Sequence, residues 1–397
     1  MEQDTDQEKL RETMVAKARA MIPALQERSA AANRNQTLPA DTIQEFQDAG
    51  FFKVLQPRRY GGFEMDPQVF FDIQLTLAEG CMSSAWVYGV VAVHAFQLAL
   101  FDDRAQQDVW GEDNSTLMSS SYQPVGKVER VEGGFQLSGH WSFSSGSEHC
   151  DWVLLGAMVP PEKEGEAPDM RTFLVPKSDY RIVRNWDVFG LQGTGSHDII
   201  VEGAFVPDYR THRSADGFSC DNPGNKVNTG PVYRIPWAQI FVRAVASSAI
   251  GATQGALNSF LEIAAARISS NTGQKTVDDP DAQQAVAAAM RRIDELKLIL
   301  YRNLDHMTDK VKAGEEIAIE DRVRFRLDSA QVLSKCIEVV DPLQTLCGAR
   351  GIFFGKPIVQ YFLDLHAGRS HVANEPTRYL NNLGGMYLGH QNRDFFI

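Results

Sequence analysis

The chain has 397 residues, with 39 basic against 51 acidic side chains and a formal net charge of −12. That length predicts two or three domains rather than one, and the negative charge excludes a general coat for nucleic acid or anionic lipid. Hydrophobic residues at 43% and charged residues at 23% are ordinary globular usage, which excludes a disordered, collagen-like or membrane chain.

In chain order, the opening MEQDTDQEKL is acidic and polar, where a signal peptide needs a basic start and an apolar stretch. The expected location is therefore the cytoplasm. Residues from about 7 to 112 read as helical throughout, giving an expected N-terminal α-helical domain over 1–112. In TLPADTIQEFQDAGFF, Pro39 stands at a first helical turn, Ile43 and Phe46 share a face, and Gly50 is a stop signal. Asp66 and Pro67 open VFFDIQLTLAEG, which Gly80 ends. A third helix covers 85–101, an apolar tract of 17 residues holding His94 and Gln97. It is shorter than the roughly 20 residues that span a bilayer and reads as a buried core helix.

After Trp110 the pattern alternates with period two and is rich in Val, Phe, Trp and Gly. VERVEGGFQLSGHWSF reads as a hairpin turning at Gly133-Gly134, and WVLLGAMV, RTFLVP and HDIIVEGAFVP read as further strands. Together they predict a small antiparallel β-barrel or sandwich over 113–225, with a polar linker at 210–236. From Trp237 onward, helices expected at 238–270, 281–313, 320–349 and 357–373 make a C-terminal four-helix bundle, in a domain of 226–397. The fold class is thus α+β, mainly α. On the first bundle helix, Ala244, Ser247, Ser248, Gly251 and Gly255 form a small-residue face. It reads as close packing within the chain, with an oligomer seam as the alternative. The cysteines, five in number and without CxxC spacing, read as reduced, buried thiols.

The chain has no GxGxxG after a strand, no GxxxxGK[ST], no HExxH and no GxSxG. Rossmann-type nicotinamide binding, P-loop chemistry and α/β-hydrolysis drop out. His366 and His371 lie about 140° apart around a helix, so they cannot share a metal as an i, i+4 pair does. What remains are polar residues in apolar or glycine-rich surroundings. His94, taken alone, reads as a satisfied core histidine. Ser119-Ser120-Ser121 reads as a cap or turn. FSSGS (143–147) is either a ligand-facing loop or a bulged strand, and GLQGTGS (190–196) is a weaker signal of the same kind. DLHAGRSHVANEP (364–376) sets two histidines, an arginine and an asparagine beside a glycine at a helix end, and divides between capping and a site.

Helical domain, β domain and four-helix bundle in that order resemble the acyl-CoA dehydrogenase architecture over essentially the whole chain. One departure stands out. Val372 occupies the slot where the common dehydrogenases carry a catalytic glutamate, and valine cannot remove an α-proton; Glu375 follows three residues on. The strings FFKVLQPRRYGG, SSAWVYGVVAVHAFQLALFD, WGEDNSTLMSSSYQP, FSSGSEH, GLQGTGS, PVYRIPW and DLHAGRSHVAN are similar, in order, to a branch of this fold. That branch is the oxygenase components of two-component flavin-dependent phenol monooxygenases, which include the p-hydroxyphenylacetate and secosteroid phenol hydroxylases.

The resemblance implies that reduced FMN or FAD, supplied by a separate NAD(P)H:flavin reductase, reacts with O₂ to a C4a-hydroperoxide that hydroxylates a phenol ortho to its hydroxyl. A dry pocket with few polar groups suits that chemistry. By position, Ser145 is expected at flavin N5, Trp86 beside the isoalloxazine, and His371 near C4a–N5. His94 and Ser120 are expected at the phenol oxygen, and Arg267 at the flavin phosphate, although AARISS has Ser269 where the family has a second arginine. The family also implies a homotetramer. The alternatives are N- or S-oxygenation of a heteroatom substrate, and an acyl-CoA dehydrogenase.

Overall fold

The computed structural model describes residues 2–161, 163, 165, 169–269 and 273–397. The chain opens with α1 (Glu2–Asn35), α2 (Ala40–Asp48), α3 (Pro67–Gly80), α4 (Met82–Leu98) and α5 (Asp103–Trp110). Pro39 and Asp66 sit at the N-caps of α2 and α3, with Pro67 in the first turn of α3, where proline's missing N–H has no intrahelical partner to lose. All 17 residues of α4 are buried, as an all-round apolar helix at the centre of a fold must be.

The strands are β1 (Met118–Val131), β2 (Gly134–Ser144), β3 (Trp152–Val159), β4 (Asp169–Pro176), β5 (Tyr180–Val183), β6 (His197–Pro207) and β7 (Thr211–Arg213). They pair in the order β5-β6-β2-β1-β3-β4-β7. The β1/β3 pairing is parallel and the other pairings are antiparallel, so the sheet is mixed where the sequence predicts a purely antiparallel one. The cause is β1, 14 residues long. Its register shifts between Ser121 and Gly126; its first part pairs with β3, and 127–131 pairs with β2. The bend folds the sheet into two layers, and Phe135 of β2 meets Phe173 of β4 edge to face at 5.5 Å in their shared core.

The stretch read as a polar linker is instead packed. It holds β7, α6 (Ser214–Ser219) and short 3₁₀ turns, and its asparagines face inward. His212 Nε2 donates to Asn222 Oδ1 at 2.8 Å, Asn225 donates to the Tyr233 carbonyl at 3.0 Å, and Asn228 to the Ala99 carbonyl at 2.7 Å. Polar composition here satisfies buried groups rather than marking solvent.

The bundle comprises α7 (Trp237–Ala244), α8 (Ser248–Ala266), α9 (Pro280–Lys312), α10 (Ile319–Ala330), α11 (Val332–Leu346), α12 (Pro357–Arg369) and α13 (Thr377–Tyr387). The first expected bundle helix breaks at 245–247 into α7 and α8, and its expected end at Ser270 lies outside the described residues. The third breaks at Gln331 into α10 and α11. A Cβ on Gly251 would lie 2.0 Å from the Leu75 carbonyl, and one on Gly255 2.5 Å from the Tyr361 ring. The small-residue face therefore packs α8 against α3 and α12 inside the chain, and the oligomer-seam alternative falls. Trp237–Ala266 is long and apolar enough to cross a membrane by length and composition, but 94% of its most apolar window is buried within the protein. None of the cysteines is bonded to another; Cys81, Cys150, Cys336 and Cys347 are buried, and Cys220 is partly exposed.

Candidate active site

Trp86, Val90, His94 and Gln97 recur on α4 at helical spacing and share one face. Roughly 12 Å of helix separates Trp86 from His94. At the Trp86 end, the indole meets the His371 ring edge-on at 5.9 Å. A Cβ on Gly368 would lie 3.4 Å from the same indole, so the C-terminal turn of α12 closes over it. At the other end, the His94 ring lies 6.3 Å from that of Tyr122 on β1.

His94 is fully buried, with Nδ1 2.8 Å from the Met118 carbonyl oxygen. A carbonyl only accepts, so Nδ1 carries the hydrogen and Nε2 bears the lone pair. Burial pushes the imidazole pKa down to about 4, so the ring is neutral at pH 7. Its Nε2 is buried without a hydrogen-bond partner, an arrangement that costs stability unless a ligand fills it. Beside it, Tyr122 donates to Gln97 Oε1, and the Ser120 hydroxyl reaches the Tyr122 oxygen. The Tyr122 ring stands on Phe241 at 5.0 Å and Trp237 at 6.3 Å, and Phe241 on Phe396 at 6.1 Å. The result is an aromatic wall with few polar groups.

His371 has the opposite tautomer. Its Nδ1 accepts the Ala373 N–H at 3.1 Å, so the neutral ring carries its hydrogen on Nε2. Burial, and then the nearby Arg326 cation, push its pKa down to about 4. One histidine is thus a fixed acceptor and the other a fixed donor.

The β domain reaches α4 through two loops. Phe143 (φ 68°) and Gly146 (φ 70°) turn the chain after β2, and a Cβ on Gly146 would press on Val87 and Val91 of α4 at 3.0 and 3.1 Å. Between them Ser145 Oγ lies 2.7 Å from Ser196 Oγ, and Ser196 Oγ 2.7 Å from Thr194 Oγ1. The second loop is anchored on three sides. A Cβ on Gly190 would lie 2.2 Å from the Leu363 carbonyl. Leu191 N–H donates to Asp364 at 2.6 Å, and Gly193 N–H to Asn33 at 3.1 Å. Burial pushes the Asp364 carboxyl up to about 7. Ser83 of α4, next to Gly193, has a buried hydroxyl oxygen without a partner.

Trp86 and His371 therefore meet directly, His94 and Ser120 are joined only through Tyr122, and Ser145 lies in the turn whose next residue, Gly146, packs on Val87 of the same helix. Arg267 stands apart. It caps the far end of α8, a 19-residue helix roughly 28 Å long, and donates to Thr276 at 3.0 Å. Glu375 is exposed and caps α13 through the N–H of Thr377, and His366 pairs with Asp341 at 2.9 Å. Sequence reasoning missed Tyr122, Gln97, Thr194 and Asp364. All four lie in strings singled out in the sequence; Gln97 also continues the Trp86–His94 spacing, whereas the role of Asp364 rests on a partner far off in sequence. A cleft between α2, α4 and the start of β1, lined by Gln47, Lys53, Val91, Asn114 and Met118 among others, borders the site through Met118 but contains none of the expected site residues.

Two family models match the chain: acyl-CoA dehydrogenase, N-terminal domain, over residues 4–113, and acyl-CoA dehydrogenase, C-terminal domain, over 244–376. The chain is 37% identical over 360 residues to the flavin-dependent monooxygenase oxygenase subunit HsaA of Rhodococcus jostii (strain RHA1), covering 90% of this chain and 94% of that protein. It is 25% identical to the oxygenase component of p-hydroxyphenylacetate 3-hydroxylase of Acinetobacter baumannii, covering 95% and 89%. The crystal structure of 3-HSA hydroxylase from Rhodococcus sp. RHA1 superposes with a TM-score of 0.92 at 35% identity, covering 97% and 99%. With its fold and these relatives in agreement, the chain belongs to the oxygenase subunits of the two-component flavin-dependent monooxygenases built on the acyl-CoA dehydrogenase fold.

Proposed function

We propose that the chain hydroxylates a phenolic compound ortho to its hydroxyl, with reduced FMN, or FAD in its place, delivered by a separate NAD(P)H:flavin reductase. The observation that carries this reading is the unpartnered, buried Nε2 lone pair of His94. It suits an O–H donor, whereas a thioether offers no hydrogen, which argues against S-oxygenation. A dehydrogenase reading lacks a base here, because Glu375 is exposed and engaged in a helix cap.

The residues fit a flavin. The orphaned Ser83 oxygen adjoins the 190–196 loop, the Ser145 hydroxyl stands at the turn beside it, and Trp86 offers an aromatic wall. When bound, reduced flavin supplies with O₂ the oxygen atom that is transferred. In this reading His94 Nε2 accepts the phenol hydrogen and raises electron density at the ortho carbon, and Ser120 adds a hydrogen bond to the same oxygen. His371 Nε2–H donates toward the flavin's reacting edge. Val90, Phe241 and Trp237 keep water out, which prevents loss of the transferable oxygen as H₂O₂.

In this reading Arg267, at the far end of α8 from Trp86 and His371, meets the flavin phosphate of another copy of the chain in a homotetramer. A Cβ on Gly348 would touch its guanidinium at 2.8 Å. Just beyond, Ile352, Phe353 and Phe354 are 69%, 61% and 88% exposed, an apolar loop of the kind that marks an interface. Incubation with a reductase, NADH, FMN and a panel of phenols, one of them steroid-derived, tests the reaction. A catechol identified by mass spectrometry and NMR is expected, and turnover confined to sulfur or nitrogen substrates would overturn it.

A further inference from the structure

The hydroxyls of Thr194, Ser196 and Ser145 form a chain whose direction is fixed from one end. Leu191 is held in the left-handed region at φ 54°, its N–H committed to the buried Asp364 carboxylate at 2.6 Å. Its carbonyl oxygen faces three donors: the Thr194 N–H at 3.1 Å, the Trp186 Nε1–H at 2.9 Å and the Thr194 hydroxyl at 2.8 Å. A carbonyl cannot donate, and two oxygens 2.8 Å apart with no hydrogen between them repel, so the Thr194 proton points at Leu191. Each hydroxyl has one proton. With Thr194's committed, the 2.7 Å contact between Thr194 and Ser196 needs Ser196 as donor. With that proton spent, the 2.7 Å contact between Ser196 and Ser145 needs Ser145 as donor. Ser145 Oγ is left with lone pairs alone for any ligand.

Resting on the reading that Ser145 meets flavin N5, we infer that Thr194 and Ser196 are positioning residues that set the redox selectivity of the site by holding Ser145 as an obligate acceptor. Reduced flavin carries a hydrogen on N5 and fits. Oxidised flavin presents a lone pair there, which faces the Ser145 lone pairs without a hydrogen between them. The site so built takes reduced flavin from a reductase and releases the oxidised form, a selectivity that contact with a freely rotating hydroxyl does not give.

The test is binding, not turnover. Dissociation constants for oxidised FMN and, anaerobically, for dithionite-reduced FMN are measured by fluorescence titration of the tetrameric or monomeric protein as isolated. The expected ratio favours reduced FMN. It shrinks about tenfold in Thr194→Val and Ser196→Ala, because Ser145 is then free to donate, and it is retained in Thr194→Ser, which keeps the hydroxyl. Thermal unfolding of each variant confirms that a folded protein is titrated, and Ser196→Ala serves if Thr194→Val does not fold. Equal weakening of both forms, or a ratio unchanged in the relay variants while Ser145→Ala abolishes it, overturns the relay and leaves the placement of Ser145 standing. An unchanged ratio in Ser145→Ala overturns that placement, and the relay with it.

Discussion

A neutral imidazole accepts at one nitrogen only, so the opposite tautomers of His94 and His371 predict separable defects. His94→Ala removes the phenol's acceptor. Hydroxylation should fall about 100-fold while H₂O₂ release without substrate stays at the wild-type rate. His371→Val removes a donor from the flavin side, and there H₂O₂ release without substrate should rise, read with a peroxidase-coupled dye after mixing the reduced enzyme with O₂. Equal rates of H₂O₂ release in the two variants would contradict the division of roles. The strings around them drew attention to both histidines and Ser145, and the structure places His94 on α4, His371 beside it and Ser145 at the turn packed onto it. The roles of Tyr122 and Asp364 were not legible there, since what makes them matter is a partner across the fold: Gln97 on α4 for one, Leu191 on a β-domain loop for the other.

Among the elements, α8 depends on glycine where it crosses α3. Ala at Gly251 places a methyl group 2.0 Å from the Leu75 carbonyl, and backbone cannot yield as a flexible side chain does. Gly251→Ala should destabilise by about 3 kcal/mol or more, seen as a lower melting temperature or insoluble expression, with the sedimentation of any folded fraction unchanged. A melting temperature equal to wild type would show that α3 and α8 separate freely. The helices themselves were readable from periodicity and caps, Pro39, Asp66 and Gly80 among them. The breaks at 245–247 and Gln331 were not, because good helix formers surround both and tertiary packing decides where the axis turns. The parallel β1/β3 pairing was likewise invisible: strand alternation gives faces, not partners.

For the molecule as a whole, buried titratable groups set the pH range of stability. His94, His212 and His371 are each pushed down to about 4 by burial, against about 6.5 in an unfolded chain. Between those values the unfolded state binds more protons, so stability falls as pH drops below about 6.5, on the order of 1 kcal/mol per histidine by pH 5.5. Asp364, pushed up to about 7, acts with the opposite sign and favours the fold as pH falls, offsetting part of the loss. The melting temperature should therefore drop by a few degrees from pH 7 to 5.5; an equal or higher value at 5.5 would show that these groups titrate normally. Assembly gives a second prediction at this scale. If the exposed loop at Phe353 and Phe354 is an interface, replacing both with Glu should convert a tetramer to smaller species in sedimentation velocity, and a wild-type monomer would refute the assembly. Finally, β1 and β3 are parallel strands with β2 between them in the chain, not a strand-helix-strand crossover of the dinucleotide-binding kind. The protein alone should leave NADH unoxidised, and steady NADH consumption without a reductase would contradict this.

Trp86 and His94 ride on one rigid, wholly buried helix. A residue inserted or deleted between them would shift His94 by about 1.5 Å along the axis and swing it about 100° around it, emptying the acceptor position in one step. Descendants of this chain that take new substrates are thus expected to do so by point changes in the Tyr122, Trp237 and Phe241 wall, with the spacing between positions 86 and 94 inherited intact.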